Sequence, residues 1–269
     1  MEDVFTRIDI DQIVSHFSRH GFAVVEDIAG PDCVRTLREV YDGMVDGTIP
    51  CPGTDRKLGG LTRQIMMPHF HHPAFLESEG FKNAELIAAR LLETESPYFS
   101  YSMLIHKPPG HPHITPWHCD LSYAGKPQTP AGAIALNNSA VQFWLALNDV
   151  DEDMGCMEFI PGVQDDPMPE HFVYSGDPDD EGRLLAMTDP ENQLDLTTRV
   201  KCPVRAGSAT IHGYTTPHFT NINRNTTRGR RAFIFTFINL ETFEMPEGAR
   251  KLSAEQLDLE SYAASIEQF

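Results

Sequence analysis

Hydrophobic and polar positions follow two periods along this chain, and the change from one to the other divides it. Over roughly the first third, apolar residues recur at helical spacing. Ile10, Ile13, Val14 and Phe17 line one face of a short amphipathic helix over residues 9–20, stopped at His20-Gly21. Phe22-Ala23-Val24-Val25 is a continuous apolar run and reads as a buried strand. Pro31-Asp32 opens a second helix with Val34, Leu37, Val40, Tyr41 and Met44 as its stripe. The stretch from Gly47 to Gly60, with Pro50, Pro52, Gly53 and Gly59, is expected to be a loop. Residues 79–95 return to the helical period on Phe81, Leu86, Ile87, Leu91 and Leu92.

From Tyr98 onward short apolar runs bounded by turn residues take over, the signature of strands. Tyr101 to Ile105 is one, closed by Lys107-Pro108-Pro109-Gly110, and a loop through His111 and His113 leads to a strand carrying His118 and Asp120. Over residues 140–150, Val141, Phe143, Leu145 and Leu147 alternate with Gln142, Trp144, Ala146 and Asn148. Asp151-Glu152-Asp153 turns the chain into a strand from Cys156 to Ile160, ended by Pro161-Gly162. Val200 to Val204, Ser208 to Ile211 and Ala232 to Ile238 complete the set, with Phe233, Phe235 and Phe237 on one core-facing side. Residues 163–199 are acidic, rich in Pro and Gly and too long for a bare connector, so they read as a lid or a partly helical insert. The tail from Glu241 is polar, with a short helix expected between Ser253 and Gln268.

Helices followed by about eight strands predict a mainly β fold, a double-stranded β-helix (cupin-like jelly roll) with buttressing helices on the N-terminal side. The expected organisation is one domain over residues 1–269. It has a helical buttress over about 1–97, a jelly-roll core over about 98–240 holding the lid at about 163–199, and a tail over about 241–269. The mouth between two facing sheets is where such a fold keeps a site.

With 41% hydrophobic residues over 269 positions, the chain has enough apolar side chains for a sizeable core. A formal net charge of -18 disfavours nucleic acid or an anionic membrane as partner and leaves a small molecule as the better expectation. Met1-Glu2-Asp3-Val4 has neither a basic nor an apolar leader pattern, and no apolar run reaches membrane-spanning length, so a cytoplasmic protein is expected. Five cysteines without C-x-x-C spacing read as free thiols. Cys119, between His118 and Asp120, is the one exposed to stray oxygen chemistry if a metal binds there.

On an extended segment His118 and Asp120 share a face, about 7 Å apart at ~3.4 Å per residue, and can converge on one ion. A further imidazole would complete a 2-His-1-carboxylate set, the arrangement of non-haem Fe(II) oxygenases. Downstream, Gly207 to Thr220 offers His212 and His218, and after Asn221, Asn223 and Asn225 come Arg228, Arg230 and Arg231. Arginine suits two-point binding of a carboxylate, so this region could supply both a ligand and an acid anchor. The triplet His69, His71 and His72 lies between Pro68 and Pro73 with no acidic or thiol partner, and reads as a loop or helix entry instead of a second metal site. His106, His111 and His113 read as turn residues, and Tyr123 as a candidate border of the substrate site.

Four blocks in register resemble the phytanoyl-CoA dioxygenase family of Fe(II)/2-oxoglutarate oxygenases: Met103 to Gly110, Trp117 to Tyr123, Gly155-Cys156 with Pro161-Gly162, and His218 with Arg230-Arg231-Ala232. The resemblance runs from Gly21-Phe22 to about Ile238. It implies a jelly roll using Fe(II), 2-oxoglutarate and O2, with His118, Asp120 and His218 as iron ligands. It further implies that Arg230 and Thr220 bind the far carboxylate of 2-oxoglutarate and that Met103 and Trp144 line its pocket. The interval 230 − 218 = 12 is one longer than the family usually shows, which makes Arg228 a competitor of Arg230. His212 is the rival distal ligand, disfavoured because its arginine would be Arg224. Val163-Gln164 stands where the family usually has Ser-His.

The implied reaction decarboxylates 2-oxoglutarate to succinate and CO2 and oxidises an unactivated C–H bond of a small-molecule metabolite. A halogenating branch has a small residue in place of the ligating acid, so Asp120 points to hydroxylation, with desaturation, epoxidation and ring formation open. A cupin-type metal-dependent hydrolase or isomerase, or a non-catalytic metal sensor, are the competing classes. The acidic stretch from Asp165 to Glu191 would repel a phosphorylated carrier such as CoA, which leaves a neutral or cationic specialised metabolite as the expected substrate.

Overall fold

The computed structural model describes residues 9–58, 61–123, 139–176 and 184–243. Helix α1 (Ile10–His20) is capped by Asp9, whose carboxylate accepts from the Gln12 amide, and ends at Gly21 with φ 78°. A Cβ at Gly21 would lie 2.6 Å from the Thr216 hydroxyl, so both the left-handed turn and the close approach require glycine there. Strand β1 (Phe22–Val25) leads to α2 (Pro31–Asp46), and α3 (Ala74–Glu77) precedes α4 (Glu79–Leu91), which Ser78 caps by accepting from the Phe81 amide.

Strands β2 (Asp55–Leu58), β3 (Thr62–Met66), β4 (Tyr98–Lys107), β6 (Ala140–Ala146), β11 (Ala209–Gly213) and β13 (Arg230–Ile238) join β1 in a seven-stranded sheet ordered β1-β11-β6-β13-β4-β3-β2. A four-stranded sheet, β10-β7-β12-β5, faces it, from β5 (Thr115–His118), β7 (Met157–Phe159), β10 (Val200–Cys202) and β12 (His218–Thr220). Every pairing is antiparallel. The fold is the expected jelly-roll type, two packed sheets with helices against the outer face of the larger.

The alternation along β6 has a structural reason. Val141, Phe143 and Leu145 join Phe233, Phe235, Phe237 and the helical apolar faces in one core, while Trp144 and Ala146 join Phe159, Met157 and Ile234 between the sheets. A strand buried on both faces still alternates when its two sides meet different layers. Each buried phenylalanine contributes about 1.5–3 kcal/mol.

The expected loop at Gly47 to Gly60 instead contains β2, a sheet edge hydrogen-bonded to β3. Its sequence, Asp-Arg-Lys-Leu, carries the charges that keep an edge strand soluble and hide it from a hydrophobicity pattern. The expected lid contains a hairpin of β8 (His171–Val173) and β9 (Leu185–Met187), followed by short helical turns at Pro190–Gln193 and Leu196–Thr198. Met187 packs with Trp117 and Ile160. The helix expected between Ser253 and Gln268 lies outside the described residues. Among the described residues no helix is long and apolar enough to cross a membrane.

Candidate active site

His118 ends β5 and His218 opens β12, and the antiparallel register sets them opposite each other with ring centroids 4.1 Å apart. Each ring is fixed by a carbonyl two residues upstream: Nδ1 of His118 donates to the Pro116 carbonyl (2.8 Å) and Nδ1 of His218 to the Thr216 carbonyl (3.0 Å). With the proton held on Nδ1, both Nε2 lone pairs are available to an ion. Asp120 is not on the strand, contrary to the sequence reading. The chain leaves β5 at His118, and Asp120 starts a 3₁₀ turn to Tyr123, which still brings Oδ1 to 3.8 Å from His118 Nε2 and 3.7 Å from His218 Nε2. One donor atom from each of the three buried residues lies within 4.8 Å of the others, a set suited to a single divalent ion.

Burial lowers the basicity of both imidazoles, most strongly for His218, the direction that favours metal ligation over protonation. Burial opposes the Asp120 charge, yet His218, His212 and His118 outweigh it and hold the carboxyl well below the usual range. The outer oxygen Oδ2 accepts from His212 Nε2 at 3.0 Å and from Gln142 Nε2 at 2.8 Å. His212 therefore stands behind the acid, and its Nδ1 has no partner among the described residues, unlike the backbone-fixed Nδ1 of His118 and His218. Cys119 turns away: its thiol donates to the Thr215 carbonyl, is fully buried and is pushed far up by burial. The β8–β9 hairpin packs on this corner, with the Cys119 amide donating to His171 Nε2 (3.1 Å) and the Leu185 amide to the Tyr123 hydroxyl (3.0 Å).

A second polar cluster adjoins the triad. Arg230 is 1% exposed, donates from Nη1 to the Gly155 carbonyl (2.6 Å) and lies 5.4 Å from the Trp144 ring centre, while its Nε has no partner among the described residues. Its cross-strand neighbour is Lys107, also buried, which donates to the Thr220 hydroxyl (2.9 Å) and the Asn221 carbonyl (2.8 Å). Burial pulls Arg230 down to about 10 and Lys107 well below its ordinary value. Neither makes an ion pair with a carboxylate among the described residues. Two buried cations with only neutral acceptors are costly unless an anion joins them, and a carboxylate matches both. Arg228, by contrast, pairs with Asp151 at the surface (2.5 Å). Met103 accepts from the Gln64 amide (2.8 Å), paired across β4 and β13 with Ile234, the neighbour of Trp144.

The histidine triplet and His111 are held in structural bonds. His69 bonds Ser102, His71 bonds Thr54 and His72 accepts from the Ala74 amide, so the triplet serves a helix entry. His111 bonds Thr62. Sequence reasoning missed Lys107, which looked like part of a Pro-Pro-Gly turn, and Gln142, whose signal was a polar residue in an otherwise apolar buried strand.

A sequence model of phytanoyl-CoA dioxygenase (PhyH) matches residues 17–232. EvdO2 from Micromonospora carbonacea var. aurantiaca, in a crystal structure with 2-oxoglutarate, is 28% identical with a TM-score of 0.68, over 85% of this chain and 90% of that one. Two more distant structures share the fold. SnoK, a non-heme alpha ketoglutarate dependent carbocyclase from nogalamycin biosynthesis, is 20% identical with a TM-score of 0.63 over 85% of this chain and 83% of its own. EctD from S. alaskensis, in its apoform, is 18% identical with a TM-score of 0.64 over 90% and 81%. No curated protein matches by sequence.

Proposed function

This chain belongs to the phytanoyl-CoA dioxygenase family, and from that membership and the site geometry we propose that it hydroxylates an unactivated C–H bond of a small-molecule metabolite. It is an oxygenase of the Fe(II)- and 2-oxoglutarate-dependent type, with iron and 2-oxoglutarate as its cofactors. In this reading His118, Asp120 and His218 hold the iron. Arg230, Lys107 and Thr220 hold the far carboxylate of 2-oxoglutarate, over a wall that includes Trp144 and Met103. The observation that carries it is the pair of buried cations with no carboxylate partner among the described residues, set beside a buried three-donor cluster.

Bound there, iron and 2-oxoglutarate supply oxygen activation, with release of succinate and CO2. The protein's own part is positioning. The carbonyls of Pro116 and Thr216 keep both Nε2 atoms unprotonated and aimed inward. Lys107 and Arg230 neutralise the incoming dianion at one end, which fixes its register toward the triad. The lid hairpin, bonded to Cys119 and Tyr123, excludes water from the same corner. The acid at Asp120 fills the position that a halogenating enzyme would leave to halide, which favours hydroxylation. A cupin-type hydrolase or metal sensor built on the same triad has no use for the two cations.

Substrate preference follows charge. The acidic lid from Asp165 to Glu191 and the net charge of -18 favour a neutral or cationic specialised metabolite over a CoA thioester. A measured preference for a thioester over its free acid would reverse that assignment. The reaction type is tested by anaerobic titration of Fe(II)-loaded protein with 2-oxoglutarate, monitored by the visible band of a chelated 2-oxo acid, followed by succinate release in air. Wild type should show both, and His118→Ala and Arg230→Ala should lose the band at the same cosubstrate concentration. Bound iron with no band would favour the hydrolase or sensor.

A further inference from the structure

A row of polar side chains crosses four adjacent strands of the larger sheet at one level. His212 on β11 is paired with Gln142 on β6, Gln142 with Thr236 on β13, and Thr236 with Tyr101 on β4. His212, Gln142 and Thr236 are each less than 5% exposed. A polar row inside a sandwich is costly unless each group is bonded, and here the bonds run in one direction. The Tyr101 hydroxyl (2.5 Å) and the Thr236 hydroxyl (3.1 Å) both donate to Gln142 Oε1. That fixes the amide orientation and turns its NH2 toward Asp120, where Nε2 donates to Oδ2 beside His212 Nε2. A flipped amide would set Oε1 against the Asp120 carboxylate, two acceptors face to face.

We propose that Gln142 and His212 are positioning residues that hold Asp120 by its outer oxygen, with Tyr101 and Thr236 setting the direction of the Gln142 amide. Two donors on Oδ2 leave Oδ1 as the oxygen presented to His118 and His218, so the acid is committed to one-point ligation before any ion arrives. Neither residue touches the ion. Their effect passes through the orientation of Asp120, and the proposal rests on the triad being a metal site.

The test is Mn(II) binding by calorimetry, without 2-oxoglutarate or substrate, alongside thermal melts of the metal-free proteins. Wild type is compared with Gln142→Leu, His212→Phe, His212→Gln, Tyr101→Phe and His118→Ala. Loss of a partner behind a ligand typically weakens metal affinity about 10–100-fold, and that loss is expected for Gln142→Leu and His212→Phe. His212→Gln, whose amide NH reaches as far as the imidazole Nε2, should recover most of it. Tyr101→Phe, which leaves Thr236 in place, should fall between wild type and Gln142→Leu while melting like wild type. If wild type binds Mn(II) and His118→Ala abolishes binding while Gln142→Leu and His212→Phe stay within twofold of wild type, the positioning role is wrong and the metal site stands. If His212→Gln binds no better than His212→Phe, the donor is not what matters and the role of His212 is overturned. If wild type binds no Mn(II), both the metal site and the positioning role fall.

Discussion

Replacing Arg230 with methionine should separate two properties that usually fall together, cosubstrate affinity and stability. The guanidinium is fully buried and drawn from its ordinary 12.5 to about 10, so at neutral pH it is still charged. At roughly 1.4 kcal/mol per pH unit this displacement corresponds to about 3 kcal/mol of unfavourable burial, which the substitution relieves. Against that, the protein loses the charged hydrogen bond to Gly155, about 1.5–3 kcal/mol, and the contact over Trp144, about 0.5–2 kcal/mol. The terms nearly cancel, and the metal-free protein should change stability by less than about 2 kcal/mol in urea unfolding. Binding of 2-oxoglutarate loses up to two charge-assisted hydrogen bonds of about 1.5–3 kcal/mol each, and with Lys107 still present the dissociation constant should rise about 10²–10³-fold. The assay is calorimetry with 2-oxoglutarate and Mn(II)-loaded protein. A dissociation constant within threefold of wild type, or a metal-free protein weakened by more than about 4 kcal/mol, would show that Arg230 is a structural cation and refute the anion-site argument.

Gly155 has φ +72°, and a Cβ there would stand 2.2 Å from the Asn221 carbonyl, the acceptor of Lys107, while its own carbonyl holds Arg230. Gly155→Ala should destabilise by about 1–3 kcal/mol and raise the KM for 2-oxoglutarate about tenfold, or ~1.4 kcal/mol, with Mn(II) affinity within twofold of wild type by calorimetry. Burial pushes Cys156 up to about 11 and Cys202 up to about 12, and Cys119 still further, so these three stay protonated at pH 8. Iodoacetamide followed by peptide mass spectrometry should therefore label the half-buried Cys33 and Cys51 first and reach Cys119 after unfolding. Rapid labelling of Cys119 in the folded protein would contradict its place in the core.

Much of this was written in the sequence, for identifiable reasons. The Phe-rich strand β13 and the helices α1, α2 and α4 declare themselves because their apolar period matches a core face. The triad was legible because His118 and Asp120 are close in sequence and His218 has an arginine downstream at family-like distance. What stayed hidden was long-range. Lys107 lies 123 positions from Arg230 (230 − 107 = 123) and meets it through the register of β4 on β13. Likewise, the row from His212 to Tyr101 exists only as a level across four strands. Asp120 was put on a strand because alternation cannot signal a short 3₁₀ turn that begins just past a strand end, and β2 was missed because a polar edge has no hydrophobic period.

The Asn-rich loop between His218 and Arg230 is closed on itself. The Asn223 amide donates to the carbonyls of Pro108 (3.0 Å) and Arg228 (2.8 Å), and Asn225 Oδ1 accepts from the Thr227 and Arg228 amides. The interval between His218 and Arg230 is taken up inside that knot, and Arg230 lands opposite Lys107. The place of Arg230 is thus set by the pairing of β13 on β4 and not by the count of residues after His218. An arginine across from a buried lysine is therefore a spatial signature of this site, one that a count of intervening residues cannot express.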